Sequence, residues 1–269
     1  MVAVSVLMLG AYTVVTAQDS PSTGDSVAIE SPLPDELTID ILEDQGKYDH
    51  TFECHYLRTI LVRVDTLNIL VGPGSTKLDT MGITPDDLDF VIITDLRPPV
   101  TATIMTASLM NTRSKVVVAE PPRRRKTEDP KKGKDRIRWV TESRKLADHV
   151  YVVGPTAPGS GAIGLCIETS RGIVVIAGCG YSDMARTAQQ ARSYLNRDPF
   201  LVIGGYRDIE LGDNFERGRV AETLQRMGTQ YVATTQCTGQ DCRNVLRESF
   251  GDHYLDLSEG DAIRLSELE

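Results

Sequence analysis

The sequence predicts a layered α/β protein with helices covering the outer faces of β-sheets. Three observations carry that expectation. Short β-rich and helix-compatible segments alternate from residue 37 onward. Strand pairs joined by tight connections stand early and late in the chain and read as antiparallel hairpins. Between them lie amphipathic helices, the clearest having Phe215, Val220, Leu224 and Met227 along one face. The composition suits such a core: of 269 residues, 41% are apolar and 25% charged, which is globular usage. That length fits one large domain or two small ones.

Taken in order, Leu37–Leu42, Ile60–Val64 and Leu67–Val71 read as strands, with Asp65-Thr66 the turn between the last two. Phe90–Thr94 is a continuous apolar run of the buried-strand type. Thr101–Met110 is helix-compatible, Lys115–Ala119 is another strand, and a further strand lies near Trp139. Later strands are expected at Val150–Val153, Ile163–Glu168, Ile173–Ala177, Phe200–Ile203, Tyr231–Thr234 and Ala262–Leu265. Helices are expected at Ser182–Leu195, Asn214–Met227 and Gln240–Phe250. No internal repeat is visible.

The N-terminus has a different character. Residues 1–17 carry no charged side chain, Val2–Leu9 is almost wholly apolar, and Val15-Thr16-Ala17 offers small residues at signal-peptidase spacing. Export to a secreted or periplasmic location is the favoured reading, with a buried first strand of a cytosolic protein as the alternative. Interrupted by Ser5, Tyr12, Thr13 and Thr16, the run is a poor membrane span, so no stable insertion is expected once the signal is removed. Residues 18–36 are rich in Ser, Thr, Pro and acids and read as a flexible leader, which leaves 37–269 as the folded domain. In an oxidising compartment Cys237 and Cys242 are candidates for a disulfide. Two separate buried thiols are the equal alternative. With five Cys, at least one stays free or pairs between chains.

Charge excludes some functions. The chain has 29 Lys and Arg against 38 Asp and Glu, a formal net charge of −9, which argues against non-specific nucleic-acid binding. A single Trp and 6% aromatic residues give little support to a stacking platform. Residues 113–138 run against the trend, with eleven Lys and Arg and four acids. The segment at about 120–138 reads as a solvated insertion, or else as a cationic loop that attracts phosphates.

Three glycine clusters end strands. Gly178-Cys179-Gly180 follows Ile173–Ala177 and precedes a helix, but a dinucleotide fingerprint needs a third glycine where Asp183 stands, and an acid there repels a pyrophosphate. Gly72-Pro73-Gly74 reads as a turn, and Gly204-Gly205 as a place where backbones approach closely.

The clusters nevertheless fall into a specific series. Ile69–Val71 ends in Gly-Pro-Gly and is followed by Met81-Gly82-Ile83-Thr84-Pro85-Asp86-Asp87-Leu88-Asp89-Phe90-Val91-Ile92-Ile93-Thr94. Then come Gly172–Tyr181, Val202-Ile203-Gly204-Gly205-Tyr206-Arg207, Gln236-Cys237-Thr238-Gly239, Phe250-Gly251-Asp252 and Gly260-Asp261. This order resembles the metallo-β-lactamase fold superfamily, in particular its dihydropterin-ribofuranosylaminobenzene phosphate synthase-like branch, over roughly residues 37–265. The resemblance implies a four-layer αββα sandwich with its active site along one edge, where strand ends and loops converge.

The same resemblance marks a departure. Where such proteins carry His-x-His-x-Asp-His, this chain has Asp95-Leu96-Arg97-Pro98-Pro99-Val100. The histidine positions in the later motifs are taken by Tyr181, Arg207 and Gln236, so only Asp95 keeps a good oxygen donor. A hydrolytic metal site needs several imidazoles or carboxylates converging on the ion, with one position open for water. Pro99 and Val100 have no side-chain lone pair, and Arg97 and Arg207 are permanent cations without an acceptor. The four histidines, His50, His55, His149 and His253, all lie outside these motifs. The expectation is therefore that the metal site is lost, with no metal cofactor and no catalytic residue. Asp95, Arg97, Tyr181, Arg207 and Gln236 are expected to converge on the former metal pocket. Two guanidiniums with Tyr and Gln donors suit a phosphate, sulfate or carboxylate. An Asp95–Arg ion pair filling the cavity is the equal alternative. The overall expectation is a non-catalytic protein that binds a small anion or a protein partner. A hydrolase or transferase holding its metal through relocated ligands such as Asp95, Asp183, Asp208 and His55 is the competing one.

Overall fold

Among the described residues, fourteen strands form two sheets of seven, and the alternation of side chains along them explains why the sheets stack. In a computed structural model of the chain the described residues are 31–34, 36–45, 57–72, 76–94, 114–119, 136–156, 162–178, 184–205, 214–234 and 238–269. All of these except Ser31 belong to one unit, Pro32–Glu269. The expected signal peptide and most of the leader, the helix at Thr101–Met110, most of the basic insertion and Cys237 lie outside the described residues.

The first sheet contains β1 (Leu37–Gln45), β2 (Leu57–Val64), β3 (Leu67–Val71), β4 (Phe90–Ile93), β5 (Lys115–Ala119), β6 (Ile137–Val140) and, from the far end of the chain, β14 (Ala262–Arg264). Its order is β14-β1-β2-β3-β4-β5-β6. The second contains β7 (Arg144–Ala147), β8 (Val150–Val153), β9 (Gly164–Thr169), β10 (Gly172–Ile176), β11 (Pro199–Gly204), β12 (Tyr231–Thr234) and β13 (Tyr254–Asp256), in the order β13-β12-β11-β10-β9-β8-β7. The α-helices among the described residues are α1 (Met184–Leu195), α2 (Asn214–Arg226) and α3 (Gln240–Phe250).

Burial sorts these strands into layers. Ile39, Ile60, Val62, Ile69, Ile92 and Val117 of the first sheet meet Leu165, Ile167, Val174, Ile176, Leu201 and Ile203 of the second in one core. The alternate residues Ile173, Val175, Val202 and Val232 face the other way, against Met184, Ala188, Leu224 and Leu246 of the three helices. On the outer face of the first sheet Leu61, Leu70, Val91, Ile93, Val116 and Val118 pack with Leu78 of a short 3-10 turn and with Ile83 and Leu88 that follow such turns. Strands buried on both faces show as unbroken apolar runs, which is why β4, β10 and β11 are plain in the sequence.

Antiparallel hairpins occur early, at β2–β3, and later, at β7–β8 and β9–β10. The last two strands form none among the described residues: β13 follows the α3 crossover and joins β12 in parallel, whereas β14 crosses to the first sheet and pairs antiparallel with β1. The sequence pattern does not mark β7 and β13 as strands; both are short sheet edges, where exposure dilutes the apolar pattern. The turn at Asp65-Thr66 is present, with Asp65 at φ 49°.

Candidate functional site

The expected site edge is built from four strand ends. Strands β10, β11 and β12 run parallel, so their carboxyl ends lie side by side at one edge of the second sheet. The end of β4, in the first sheet, reaches the same edge. A Cβ on Gly178, just past β10, would lie 2.8 Å from Thr94 Oγ1 and 3.0 Å from Thr94 Cβ, and the Ile163 N–H donates to the Thr94 carbonyl at 3.0 Å. Only a residue without a Cβ lets β4 and β10 meet this closely. At the end of β11, a Cβ on Gly204 would stand 2.9 Å from Met184 Cβ and 3.1 Å from Ala177 Cβ. Gly204 is thus the point of close backbone approach that the sequence suggests, and it seats the first turn of α1 on the sheet.

The five residues expected to line the pocket, Asp95, Arg97, Tyr181, Arg207 and Gln236, lie outside the described residues. What is described is the frame from which they extend: each is within three positions of a fixed residue at this edge, namely Thr94, Gly178, Gly205 or Thr234. The relocated ligands considered from the sequence, Asp183, Asp208 and His55, also fall outside. Among the described residues no group of three or more His, Cys, Asp or Glu side chains is placed to hold a metal ion. No described helix is long and apolar enough to cross a membrane.

Polar side chains behind this edge form a network that the sequence did not reveal. Thr234 Oγ1 and Tyr254 Oη are 2.5 Å apart, both residues being buried. Arg243 and Arg247, one turn apart on α3, both donate to the Asp256 carboxylate, Arg247 Nη2 at 2.8 Å from Oδ2. Burial works against the Arg243 charge, but hydrogen bonds to Asp256 and Tyr254 outweigh it and hold its pKa above the usual arginine value. The only hint in the sequence is the spacing of the two arginines, which places them on one helix face.

A second polar cluster lies at the opposite end of the second sheet. The Tyr151 hydroxyl donates to Glu168 Oε2 at 2.7 Å, and His149 Nδ1 is 3.6 Å from the same oxygen. Glu168 pairs with Ile173 at the start of β10, so this cluster is remote from the edge where β10 ends.

No family model matches the sequence, and the search of curated proteins found no relative. Solved structures do match. One is Tm1679, described as a metal-dependent hydrolase of the β-lactamase superfamily; the match has a TM-score of 0.64 at 16% identity and covers 84% of this chain and 98% of that one. Another is the metallo-β-lactamase fold protein YhfI from Bacillus subtilis, with a TM-score of 0.55 at 14% identity, covering 86% of this chain and all of that one. The class the architecture defines is therefore mixed α/β with two large sheets. The chain has the metallo-β-lactamase fold.

Proposed function

We propose that this protein uses the metallo-β-lactamase scaffold to bind a small anion without a metal ion and without catalysis. The observation that carries the reading is the meeting of four strand ends, β4, β10, β11 and β12, whose loops carry Asp95, Arg97, Tyr181, Arg207 and Gln236. The donor set does not fit a hydrolytic metal centre. One carboxylate accompanies two guanidiniums, a phenol and an amide, and the fixed residues beside them, Thr94, Gly178, Gly205, Thr234 and Thr238, add no imidazole or carboxylate. Guanidiniums pair bidentately with phosphate, sulfate and carboxylate, while Tyr and Gln supply neutral donors. The branch that the sequence motifs resemble and export directed by residues 1–17 belong to the same proposal. Neither nucleic acid nor membrane is a partner in it.

A second reading, a metal-dependent hydrolase or transferase with relocated ligands, draws on the fold it shares with Tm1679. Elemental analysis of the purified protein separates the two. The anion reading expects no stoichiometric transition metal, together with a rise in thermal midpoint on adding phosphate or sulfate. At a ligand concentration of 100 Kd that rise corresponds to about 2.7 kcal/mol. It should vanish when Arg97 and Arg207 are both replaced by Ala. Tightly held metal with turnover that depends on it, or equal protection of parent and double variant, decides against the anion site.

A further inference from the structure

Among the described residues the sandwich ends in two opposite sides of unlike charge. On one side β6 and β7 end their sheets and follow each other in the chain, separated by Thr141-Glu142-Ser143. On the other, β13 and β14 do the same, separated by residues 257–261. The β6/β7 side is cationic: exposed Arg138, Arg144 and Lys145 stand there against one exposed carboxylate, Glu142, and Lys145 pairs with Asp148 in the turn beyond. The β13/β14 side is acidic: residues 252–269 hold Asp252, Asp256, Glu259, Asp261, Glu267 and Glu269 against a single guanidinium, Arg264. Lys77, Arg243 and Arg247 reach in to pair with Glu259 and Asp256, and an acidic excess survives them. Arg138, Arg144 and Asp252 make no ion pair with any described residue.

Apolar surface and strand direction agree with the charge. The inter-sheet core runs out at half-buried Leu146 and Ala147 on the first side and at half-buried Leu255 and Leu268 on the second. Trp139 on β6 is 38% exposed, so part of its ring is there for a neighbour to cover. In the first sheet β3 to β6 are parallel, and three antiparallel steps from β3 leave β14 running against β6. In the second sheet β10 to β13 are parallel, and three antiparallel steps from β10 set β7 against β13. A second copy in the same orientation therefore brings its β14 antiparallel to β6 and its β13 antiparallel to β7 in one movement.

We propose that the β6/β7 side binds the β13/β14 side of a second copy of this chain, so that copies join head to tail and both sheets continue across the junction. Three features select this occupant: cations meet carboxylates, terminal strands meet in antiparallel pairs, and one end of the apolar core meets the other. Pairing two β6/β7 sides about a two-fold axis would instead set Arg138 and Arg144 against the same residues of the partner, which like-charge repulsion disfavours. A head-to-tail contact always leaves one side of each kind at the ends. Growth is therefore open rather than closed at a dimer, with successive copies turned by the twist of the sheets.

The test uses the full chain, sedimentation velocity and the emission of Trp139. It compares about 0.01 M with about 1 M NaCl, where the Debye length falls from about 30 Å to about 3 Å. At low salt the mean mass should climb with protein concentration past that of a dimer, and Trp139 emission should shift to shorter wavelength as its ring is covered. High salt should weaken the association at least about tenfold. Arg138→Glu with Arg144→Glu reverses one side, and Asp252→Lys with Glu267→Lys reverses the other. Each double variant alone should stay monomeric, and an equal mixture should associate again, because each supplies the side the other lacks. A parent that is monomeric at every concentration overturns the proposal, as does association that stops at a dimer or ignores salt. So does a double variant that associates like the parent, or a pair of folded variants that stay apart when mixed. Far-UV circular dichroism reports whether the variants fold; if one does not, the mass and salt dependence of the parent decide.

Discussion

Gly178 shows how much of this site depends on a missing atom. Its absent Cβ would lie 2.8 Å from the Thr94 hydroxyl oxygen, and Thr94 is β-branched and cannot swing aside freely. Gly178→Ala should push the ends of β4 and β10 apart and cost about 1–3 kcal/mol, measured by urea unfolding. A variant as stable as the parent would show that the two ends do not meet as described. Cys166 illustrates the opposite case, a reactive atom made inert. Burial first, and then the nearby Glu168 charge, push its thiol far up. The thiol should resist iodoacetamide in the folded protein and react once unfolded. The pH sign follows from its being neutral in the fold. Above the ordinary thiol pKa of about 8.5 the unfolded chain releases a proton that the folded chain keeps. The stability contributed is therefore complete below that pH and declines as pH rises. Cys166→Ala should flatten the slope between about pH 8.5 and 10.

At the scale of the element, the sequence was informative wherever both faces of a strand or one face of a helix are buried. The runs Phe90–Ile93 and Gly172–Ile176 are wholly buried and could be read directly. Arg144–Ala147 could not, because an edge strand with two exposed cations looks like a loop. Likewise, nothing in Ala262–Arg264 says that it pairs with β1, since partner choice depends on where the chain returns in space. The site was legible only as a list of substitutions at loop positions. The Thr234–Tyr254 hydrogen bond and the arginines on Asp256 are not legible, because the short edge strand β13 that carries Tyr254 and Asp256 has no apolar pattern. Among the helices, α2 rests on the second sheet through Leu224, which is fully buried. Leu224→Ala should cost about 2–5 kcal/mol and lower the urea midpoint without changing the activity or binding of the remaining folded fraction.

For the whole molecule, the two sheets share one core, and the first spans from β14 to β6. The protein's single Trp, Trp139, sits on β6, at the far edge from Ile263 on β14. Ile263 is buried in the inter-sheet core. Ile263→Ala should shift the unfolding curve seen by Trp139 fluorescence as much as that seen by circular dichroism, by about 2–4 kcal/mol. A tryptophan signal that does not move would mean that the edges of the sheet unfold separately.

The pairing of β1 with β14 also bears on how the chain is made. Thr38 finds its partner in Arg264, so one side of β1 stays without its native neighbour until residues 262–264 have also left the ribosome. At roughly 5–20 residues per second, that wait lasts on the order of ten seconds or more. Throughout it the nascent chain presents a strand edge of Ile39 and Ile41 to any other sticky segment nearby, so synthesis in crowded cells should favour a chaperone that shields β1 and β2 until β14 arrives.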